Sequence, residues 1–500
     1  MATNASLLPD SAEAQQREEE SRNKWFGWLG TKSKIAIVVV SLTLVIMGLS
    51  KSRTATKPSA GELVLENISE YLPHRPEEAR KATQVSNKSV LPGVTSYSGF
   101  ATVNETAKDH LFWWFLEAEK VESDTKLLIW LQGGPGASSL FGMFTELGPI
   151  FINEDGPAKR PVHWGSNNHL LFIDNPVGVG FSFSETDHFV TSSEQAGTNL
   201  VTLLDQFYKV FPEMLNYDLY LTGESFAGHY VPAFGSALAK AIANNKENAT
   251  SIPFKGVALG NAWVDPVEQL SGYAEVLYGL GLIENVERDH VENMTKTAID
   301  FIKGGFPEKA YKVWDNMISG DESKESYFHR VTGLTNYFNY LPDAKPDPEF
   351  FAKWLNQTDV RRAIHVGNRT YQSTNNKVEL ALEFDVMRSY RPELEFLLSR
   401  GYKALVYNGQ LDIIVNYGLT RKYLQKLDYE KKRVYTESLQ TIWGNGETVY
   451  GYVKSAGNLT TALVRGCGHM VPAEQPEAAF DLITRFTRDL TFNNKPMRLN

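Results

Sequence analysis

The chain has 500 residues, of which 42% are hydrophobic and 22% are charged, with 22 Pro and 38 Gly. This composition is that of a globular protein and excludes collagen-like, mucin-like and wholly disordered chains. The net charge of −9 argues against a nucleic-acid partner. The single cysteine, Cys467, excludes an intrachain disulfide and on its own favours a reducing compartment.

An uncharged apolar run, IAIVVVSLTLVIMGL, occupies residues 35–49 behind an N-terminal tail, residues 1–34. The run is short for a bilayer span, for which about 20 residues are typical, and it also fits the core of a cleaved signal peptide. The long tail, and the Lys and Arg that follow the run in place of a small-residue cleavage site, favour an uncleaved signal-anchor. We therefore expect membrane attachment through this segment, with a signal peptide as the alternative.

Asn-x-Ser/Thr sequons follow the apolar run, and their asparagines are candidate glycosylation sites: Asn67, Asn87, Asn104, Asn248, Asn293, Asn356, Asn368 and Asn458. So many sequons are typical of a body in the secretory pathway, and they outweigh the low cysteine count. The sequence predicts a single-pass type II membrane protein with a cytosolic tail and a lumenal or extracellular body. The alternative is a secreted or lysosomal protein released by signal cleavage.

Residues 50–93 mix Pro, Glu and Lys with few aromatic residues and are predicted to form a stalk or pro-like extension. Unbroken apolar runs then predict buried strands, at residues 126–131, 169–173, 218–222, 257–259, 403–407 and 461–464. Helical periodicity lies between them, as in the stripe of Leu200, Leu203, Leu204, Phe207 and Phe211. The alternation predicts an α/β fold, with a mostly parallel central sheet and helices on both faces.

The core is assigned to residues 94–265 and 351–490. Between them, residues 266–350 are rich in helix formers and polar residues and contain no buried-strand run. Insertions at this position of an α/β fold commonly cover active sites. We therefore expect a helical insertion that forms a lid.

The hexapeptide GESFAG, residues 223–228, follows a strand and precedes a helical pattern, as a nucleophile elbow does. Small residues flank Ser225 because this turn is too tight for larger side chains, and the turn exposes the serine hydroxyl. The next backbone N–H lies at the helix N-terminus, where it stabilises developing negative charge. Alone the motif is weak, since a serine in any tight turn has the same pattern.

Two further residues follow in the order that this type of fold requires, an acid and then a histidine. Asp412 comes just after the strand at 403–407, and His469 just after the strand at 461–464. Open parallel sheets place their sites at these carboxyl ends. His469 would accept the proton of Ser225, and Asp412 would fix the imidazole tautomer.

The glycine-rich segment WLQGGPGASS, residues 130–139, follows the first predicted strand. Its glycines allow the backbone to approach a ligand closely, and a loop at this place can supply a second oxyanion N–H. The segment lacks the G-K-[ST] ending of a phosphate loop, and the chain has no H-E-x-x-H motif or clustered Cys/His set. We therefore expect no metal and no organic cofactor.

Five motifs in order, WLQGGPGASS, ELGP, GESFAGHYVP, NGQLDIIV and GHMVPAEQP, resemble the serine carboxypeptidase family of α/β-hydrolases from about residue 94 to residue 486. WLQGGPG, AIHVGN and YNGQLDIIV are most similar to its vitellogenic-like branch. The resemblance implies a catalytic triad of Ser225, Asp412 and His469. It also implies an oxyanion hole from the backbone amides of Gly134 and Phe226.

The resemblance further implies that the substrate's terminal carboxylate is held by Gln132, Gly133, Glu146 and Glu224. Two ionised glutamates would repel a carboxylate, but a pair that shares a proton can donate a hydrogen bond to it. We therefore expect peptidase activity to fall as the pH rises above mildly acidic. Relatives usually have Asn where this chain has Gln132, so the geometry of carboxylate binding can differ.

The resulting prediction is an exopeptidase that removes C-terminal residues from peptides through an acyl-enzyme on Ser225. Its partners are peptide or protein C-termini, with no nucleic acid, and the oligomeric state is left open. Two alternatives remain at this point. One is an acyltransferase on the same fold, and the other is a catalytically silent, glycosylated interaction protein.

Overall fold

The computed structural model describes residues 63–244, 252–321, 325–341 and 349–497. The apolar run at 35–49 and the sequon at Asn248 lie outside these residues. Strands of the described part are β1 (Ser96–Asn104), β2 (Asp109–Leu116), β3 (Lys126–Leu131), β4 (Ile150–Asn153), β5 (Gly156–Lys159), β6 (Asn168–Ile173), β7 (Phe183–Ser184), β8 (Leu219–Glu224), β9 (Phe254–Gly260), β10 (Lys403–Gly409), β11 (Thr441–Gly444), β12 (Val449–Ala456) and β13 (Leu459–Val464).

One large sheet forms the centre of the body, in the order β1-β2-β6-β3-β8-β9-β10-β13-β12-β11, with β7 beside β2. The six strands from β6 to β13 are parallel to one another. They coincide with the six predicted apolar runs, and the prediction of a mostly parallel sheet is confirmed. The outer pairs β1–β2, β2–β6, β12–β13 and β11–β12 are antiparallel and extend the sheet beyond the predicted strands.

Helices cover both faces of this sheet. They are α1 (Pro76–Thr83), α2 (Ser139–Phe141), α3 (Ser193–Val210), α4 (Ala227–Ala243), α5 (Pro266–Leu270), α6 (Tyr273–Gly279), α7 (Asn285–Lys303), α8 (Pro307–Trp314), α9 (Tyr327–Thr332), α10 (Phe350–Leu355), α11 (Thr358–Ala363), α12 (Asn376–Val386), α13 (Arg391–Ser399), α14 (Tyr417–Lys426), α15 (Lys432–Glu437), α16 (Val471–Glu474) and α17 (Pro476–Thr487). No helix of the described residues has the length and apolarity needed to cross a membrane.

The apolar stripe predicted from the sequence forms the buried face of helix α3. Ser192 caps its N-terminus by accepting a hydrogen bond from the backbone of Gln195. The predicted apolar stripe, from Leu200 to Phe207, is fully buried in the core on one face of the sheet. Phe211 ends the helix and is buried in the same core. The burial of this stripe fixes the helix against the sheet.

The interval between β9 and β10 is filled by helices, from Pro266 to Ser399. The helical character predicted for residues 266–350 therefore continues for about another fifty residues along the chain. These helices rise from the carboxyl end of β9, which is the edge of the sheet where the candidate site residues gather. The wall of the site accordingly comes from this interval.

The predicted stalk-like extension over 50–93 differs from the structure in its described part. From Leu63 on, this segment packs on the body: Ile68 and Ala79 are fully buried, and the Glu66 carbonyl accepts a 2.8 Å hydrogen bond from the backbone N–H of Phe100. A Cβ at Gly99 would lie only 2.8 Å from that carbonyl. The segment is held because its few apolar residues fall where they cover the sheet, whereas a stalk would leave them in solvent.

Candidate active site

Ser225 occupies a strained turn between β8 and α4. Its φ of 62° lies in the left-handed region, which few residues other than glycine adopt. The Ser225 N–H donates to the carbonyl of Gly260 at 2.9 Å, and this bond holds the turn against the end of β9. A Cβ at Gly223 would lie 2.6 Å from the Leu131 carbonyl, and one at Gly228 would lie 2.4 Å from the Trp263 carbonyl. The small residues of the motif are thus required by close backbone approach.

Asp412 and His469 meet beyond the ends of β10 and β13. The Nδ1 atom of His469 lies 2.9 Å from the Asp412 Oδ2 atom, and both side chains are buried. Since a carboxylate only accepts, Nδ1 carries the proton and Nε2 is left as an acceptor. Nε2 is buried and has no hydrogen-bond partner within the protein. This is the arrangement that a general base needs before substrate arrives.

Ser225 and His469 line the same cavity, whose volume is about 380 Å³. Gln132, Gly133, Gly134 and Glu224 line it as well. The structure therefore brings the predicted nucleophile, the predicted base and three of the four predicted carboxylate-binding residues to one concave site, whereas the fourth, Glu146, is fully buried and does not line the cavity. Such a site is the usual setting for chemistry on a small portion of a substrate.

The glycine-rich segment after β3 lies directly against the serine turn. A Cβ at Gly133 would lie 2.6 Å from the backbone nitrogen of Phe226 and 2.8 Å from the Glu224 carbonyl. Gly134 adopts a φ of 106°, which a residue with a side chain rarely adopts. Gly134 lines the cavity, and the residue before it lies against the backbone nitrogen of Phe226, so the two predicted oxyanion donors belong to segments that are in contact.

Gln132, Glu146 and Glu224 form a buried hydrogen-bonded group. The Nε2 atom of Gln132 donates to the Oε1 atoms of Glu146 at 3.2 Å and of Glu224 at 3.1 Å. The indole N–H of Trp130 donates to the Gln132 Oε1 atom at 2.9 Å. This contact fixes the amide, so that its NH₂ group faces both carboxyls. The longer side chain of Gln132 thus still reaches the two acids.

The pKa values of both glutamates are raised. Burial raises the pKa of Glu146 to about 7. Burial, and then the neighbouring Glu146 carboxylate, raise the pKa of Glu224 well above its usual range. Both shifts follow from removing like charges from water and placing them side by side. At mildly acidic pH the pair therefore retains a proton that it can share or donate.

Asn261 belongs to the hydrogen-bonded group around Asp412 and was not predicted from the sequence. The Nδ2 atom of Asn261 donates to the Asp412 Oδ2 atom at 2.6 Å, and the backbone N–H of Val415 donates to Oδ1 at 3.2 Å. Asn261 directly follows β9 and has a φ of 41°. A polar residue at the carboxyl end of a central strand was the available signal, since neighbouring strand ends converge there.

A loop of the helical interval also contacts the site, and pattern analysis gave no sign of it. The Phe338 carbonyl accepts a 2.7 Å hydrogen bond from the backbone N–H of His469, and the two rings are 5.1 Å apart. The Tyr337 carbonyl accepts from the backbone of Ile413 at 3.0 Å. The Asn339 amide donates to the Oε2 atom of Glu474 at 2.6 Å. Residues 336–341 thus hold the segments that carry Asp412 and His469.

Cys467 lies two residues before His469 and is fully buried. Its thiol contacts the Val464 carbonyl, with 3.6 Å between sulfur and oxygen. Burial raises the pKa of this thiol, so the reactive thiolate form is disfavoured at neutral pH. Cys467 therefore acts as a small packed side chain behind the histidine. Within the described residues, no group of His, Cys, Asp and Glu is placed to hold a metal ion.

The candidate glycosylation sites differ in how far their asparagine side chains are exposed to solvent. Asn87, Asn293 and Asn368 are exposed, whereas Asn104 and Asn356 are half-buried. Two predicted sites, Asn67 and Asn458, disagree with the structure. The Asn67 Nδ2 atom is buried and donates to Thr102, and that of Asn458 is buried and donates to two backbone carbonyls. A glycan on either nitrogen would break these bonds and would not fit inside the fold.

Comparison with known proteins agrees with the fold and the motifs. A family model described as "Serine carboxypeptidase" matches residues 87–489. The chain is 40% identical over 421 residues to the venom serine carboxypeptidase of Apis mellifera, covering 83% of this chain and 89% of that one. It is 39% identical to the vitellogenic carboxypeptidase of Aedes aegypti, covering 82% and 87%, and 37% identical to the probable serine carboxypeptidase CPVL of Homo sapiens, covering 81% and 86%.

A solved structure supports the fold independently. The prohormone-processing carboxypeptidase Kex1 of Saccharomyces cerevisiae superposes with a TM-score of 0.70 at 24% identity, covering 83% of this chain and 98% of that one. The predicted α/β-hydrolase fold and the predicted family are both confirmed. The chain belongs to the serine carboxypeptidase family and is a serine-type carboxypeptidase.

Proposed function

We propose that this carboxypeptidase releases C-terminal amino acids through an acyl-enzyme on Ser225, with His469 as base and Asp412 as the group that orients it. One observation carries the proposal: the Ser225 side chain, the unpartnered Nε2 atom of His469 and the Gln132–Glu224 pair face a single cavity. Serine, base and a binding site for a terminal carboxylate are the three parts that such a reaction needs.

The reaction follows from these groups in two steps. His469 Nε2 accepts the Ser225 proton as the serine oxygen attacks the carbonyl carbon of the last peptide bond. The backbone N–H groups of Gly134 and Phe226 donate to the oxyanion, and the imidazolium then protonates the leaving amine. Water, activated by the same histidine, hydrolyses the ester and restores the serine. Asp412 orients the imidazole and stabilises the imidazolium throughout.

Recognition of the chain end is assigned to Gln132, Gly133, Glu146 and Glu224. The proton held by the glutamate pair provides a donor to the substrate carboxylate, and the Gln132 amide is held in place by Trp130. Cleavage is then confined to the bond one residue from the carboxylate, because Gln132 and Glu224 line the same cavity as Ser225. This geometry separates an exopeptidase from an esterase of the same fold.

This assignment predicts how activity depends on pH. Because the pKa of Glu146 is about 7, this carboxyl keeps its proton below that pH and loses it above, where its negative charge repels the substrate carboxylate. We expect kcat/KM for an N-blocked dipeptide to fall about tenfold between pH 6 and pH 8, as one lost proton requires. The measurement is release of the free C-terminal amino acid across this range.

The matched control is the same dipeptide with a methyl ester in place of the terminal carboxylate, cleaved at the same peptide bond. Ionisations elsewhere in the free enzyme affect both substrates equally, so the ratio of their kcat/KM values isolates the glutamate pair. We expect the ester's kcat/KM to decline less than that of the acid. If the ratio of kcat/KM for the acid to that for the ester does not change with pH, the role proposed for Glu146 and Glu224 is wrong. If no amino acid is released at all, the proposed reaction is wrong.

We further propose that residues 35–49 direct the body into the secretory pathway, as an uncleaved anchor or as a signal peptide. The proposal is supported by the sequons that remain accessible in the folded body. It makes a prediction about which asparagines carry glycans.

Glycans should be found on exposed asparagines and not on buried ones. We expect Asn87, Asn293 and Asn368 to be modified in the protein purified from its own cells, and Asn67 and Asn458 to be unmodified, since their amide nitrogens are buried and bonded. Enzymatic deglycosylation in ¹⁸O-water followed by peptide mass spectrometry measures the glycan occupancy of each asparagine. Occupancy at Asn67 or Asn458 would contradict the packing described above, and a body without glycans would contradict the secretory route.

A further inference from the structure

The glycine-rich segment, residues 130–139, closes on itself around Gly134. The Ala137 N–H donates to the Gly133 carbonyl at 3.2 Å. A Cβ at Gly134 would lie only 2.8 Å from the backbone nitrogen of Ala137. Because the turn is this tight, Gly134 cannot shift without the residues that close the turn. The position of its N–H, the proposed oxyanion donor, therefore depends on what holds the segment at and just after Ala137.

Two adjacent serines tie this part of the segment to the end of β6. The Oγ atom of Ser138 donates to the Asp174 Oδ1 atom at 2.5 Å, and the Oγ atom of Ser139 donates to the Ile173 carbonyl at 2.5 Å. Both serines and Asp174 are fully buried. Strand β6 is the parallel neighbour of β3 in the sheet, and Ile173 is its last residue. A buried hydrogen bond to a carboxyl group is stronger than one between neutral partners, so the Ser138–Asp174 contact is a firm attachment.

Asp174 is itself fixed on several sides. The Phe181 N–H donates to the Asp174 Oδ2 atom at 2.9 Å, and the Ser182 hydroxyl donates to the Asp174 carbonyl at 2.6 Å. A Cβ at Gly180 would lie 2.1 Å from Oδ2, so the chain after β6 is shaped around this carboxyl. Asp174 and Ser138 do not line the cavity that holds Ser225. They can influence the reaction only through the glycine-rich segment.

The two serines hold different parts of the segment. The Ser139 hydroxyl also accepts a hydrogen bond from the backbone N–H of Gln132 at 3.1 Å. It thereby fixes the residue whose side-chain amide is proposed to bind the substrate carboxylate. Ser138 is held through its side chain by Asp174 and through its N–H by the Ser373 carbonyl, at 2.9 Å. Ser139 thus anchors the start of the segment, and Ser138 anchors the turn that contains Gly134.

We propose that Ser138 and Asp174 are positioning residues for the oxyanion donor on Gly134, and that Ser139 is a separate positioning residue for Gln132. The inference rests on the proposed reaction at Ser225 and assigns residues that act through its parts. Two neighbouring buried hydroxyls control two different steps. One step is stabilisation of the oxyanion, and the other is recognition of the chain end.

The first test removes the Ser138–Asp174 contact. The substrates are the N-blocked dipeptide and its methyl ester, both cleaved at the peptide bond. In Ser138→Ala and in Asp174→Ala, we expect kcat to fall about tenfold to a hundredfold and equally for both substrates, since an oxyanion forms on each and a displaced donor costs this much. The double variant should lose no more than either single variant, because both changes remove one interaction.

Active molecules are counted by labelling Ser225 to completion with a phosphonate, so that unfolded protein does not enter kcat. Asp174→Asn is the conservative variant: its amide can accept from Phe181 and donate to Ser138, and it should keep kcat within about fivefold of wild type. Ser138→Cys keeps the size of the side chain but donates weakly, and it should lower kcat at least about threefold. It replaces the alanine variants if these do not fold.

The second test separates the two serines. In Ser139→Ala, we expect kcat/KM for the acid to fall about tenfold more than kcat/KM for the ester, because Gln132 loses its anchor and the ester has no terminal carboxylate to bind. The control is Ser96→Ala on β1, where a buried serine has no hydrogen-bond partner in the protein. This variant should retain the wild-type kcat and KM for both substrates.

The outcomes separate the inference from the reaction on which it rests. If the Ser138 variants keep the wild-type kcat per active molecule, or lower it for only one of the two substrates, the role of Ser138 and Asp174 is wrong. If Ser139→Ala affects the acid and the ester equally, its separate role is wrong. In both cases cleavage by the wild type leaves the proposed reaction in place. If the wild type cleaves neither substrate, the proposed reaction is wrong, and the positioning roles are wrong with it.

Discussion

Replacement of Ser225 by alanine should reduce peptide hydrolysis by about 10⁴-fold or more and abolish labelling by an active-site phosphonate. The expected loss is large because the acyl-enzyme is proposed to form on the Ser225 hydroxyl, and because the members of a triad act as one unit. The remaining cavity, with the proposed oxyanion donors and carboxylate-binding residues, would still bind substrate. We therefore expect kcat to fall far more than KM changes.

The measurement combines labelling of the intact protein, read by mass spectrometry, with single-turnover release of a C-terminal amino acid. Ser271→Ala is a suitable control, since Ser271 is exposed and lies outside the cavity lining. Labelling of the Ser225→Ala protein by the phosphonate would show that another residue is the nucleophile. A wild-type protein that neither reacts nor hydrolyses would favour a silent interaction module on this fold.

Replacement of Asp412 by asparagine should lower kcat by about 10⁴-fold, as expected when the histidine is held in the wrong tautomer. Asp412 accepts hydrogen bonds from His469, Asn261 and the backbone of Val415, all within the buried site. Since an amide has only one oxygen, it cannot accept from both the backbone N–H of Val415 and the Nδ1–H of His469. When the oxygen keeps the bond to Val415, the NH₂ group faces His469, so Nδ1 loses its acceptor and Nε2 no longer acts as an efficient base.

The pH profile distinguishes this effect from simple unfolding. In the Asp412→Asn protein, residual activity should rise with pH toward the alkaline range, since hydroxide can replace the missing base. Asp428→Asn, an exposed change, controls for loss of charge and should retain the wild-type profile. A kcat within tenfold of wild type for Asp412→Asn would show that the contact with His469 is not needed for the reaction.

The buried parallel strands were predictable because each carries its own signal in the sequence. Strand β3, at Lys126–Leu131, and strand β8, at Leu219–Glu224, read as continuous apolar runs since both faces of these strands are covered. The nucleophile elbow around Ser225 was also predictable from a short stretch of sequence, because close backbone contacts restrict its neighbours to small residues. Such features depend on a few adjacent positions.

Other parts of the site depend on contacts between distant segments. Asn261 and Asp412 are 151 positions apart in the chain, yet their side chains are bonded. The contact between Phe338 and His469 likewise joins a loop of the helical interval to the end of β13. Strand β2 carries an unbroken apolar run, LFWWFL, that was not recognised as a strand. Strand β1, SYSGFATVN, has no such run, and its burial depends on residues packed over it. Apart from β2, tertiary packing and not local pattern decides these features.

The loop at residues 336–341 has a consequence for redesigning this enzyme. The Tyr337 carbonyl accepts a hydrogen bond from the segment that carries Asp412, and Tyr337 also lines the cavity that holds Ser225. Mutagenesis libraries aimed at new selectivity would therefore best hold Tyr337 and Phe338 constant and diversify Trp314 and Glu379, which line the same cavity. Swapping the whole helical interval for that of a relative would exchange part of the catalytic scaffold together with the selectivity, so chimaeras should be joined outside this loop.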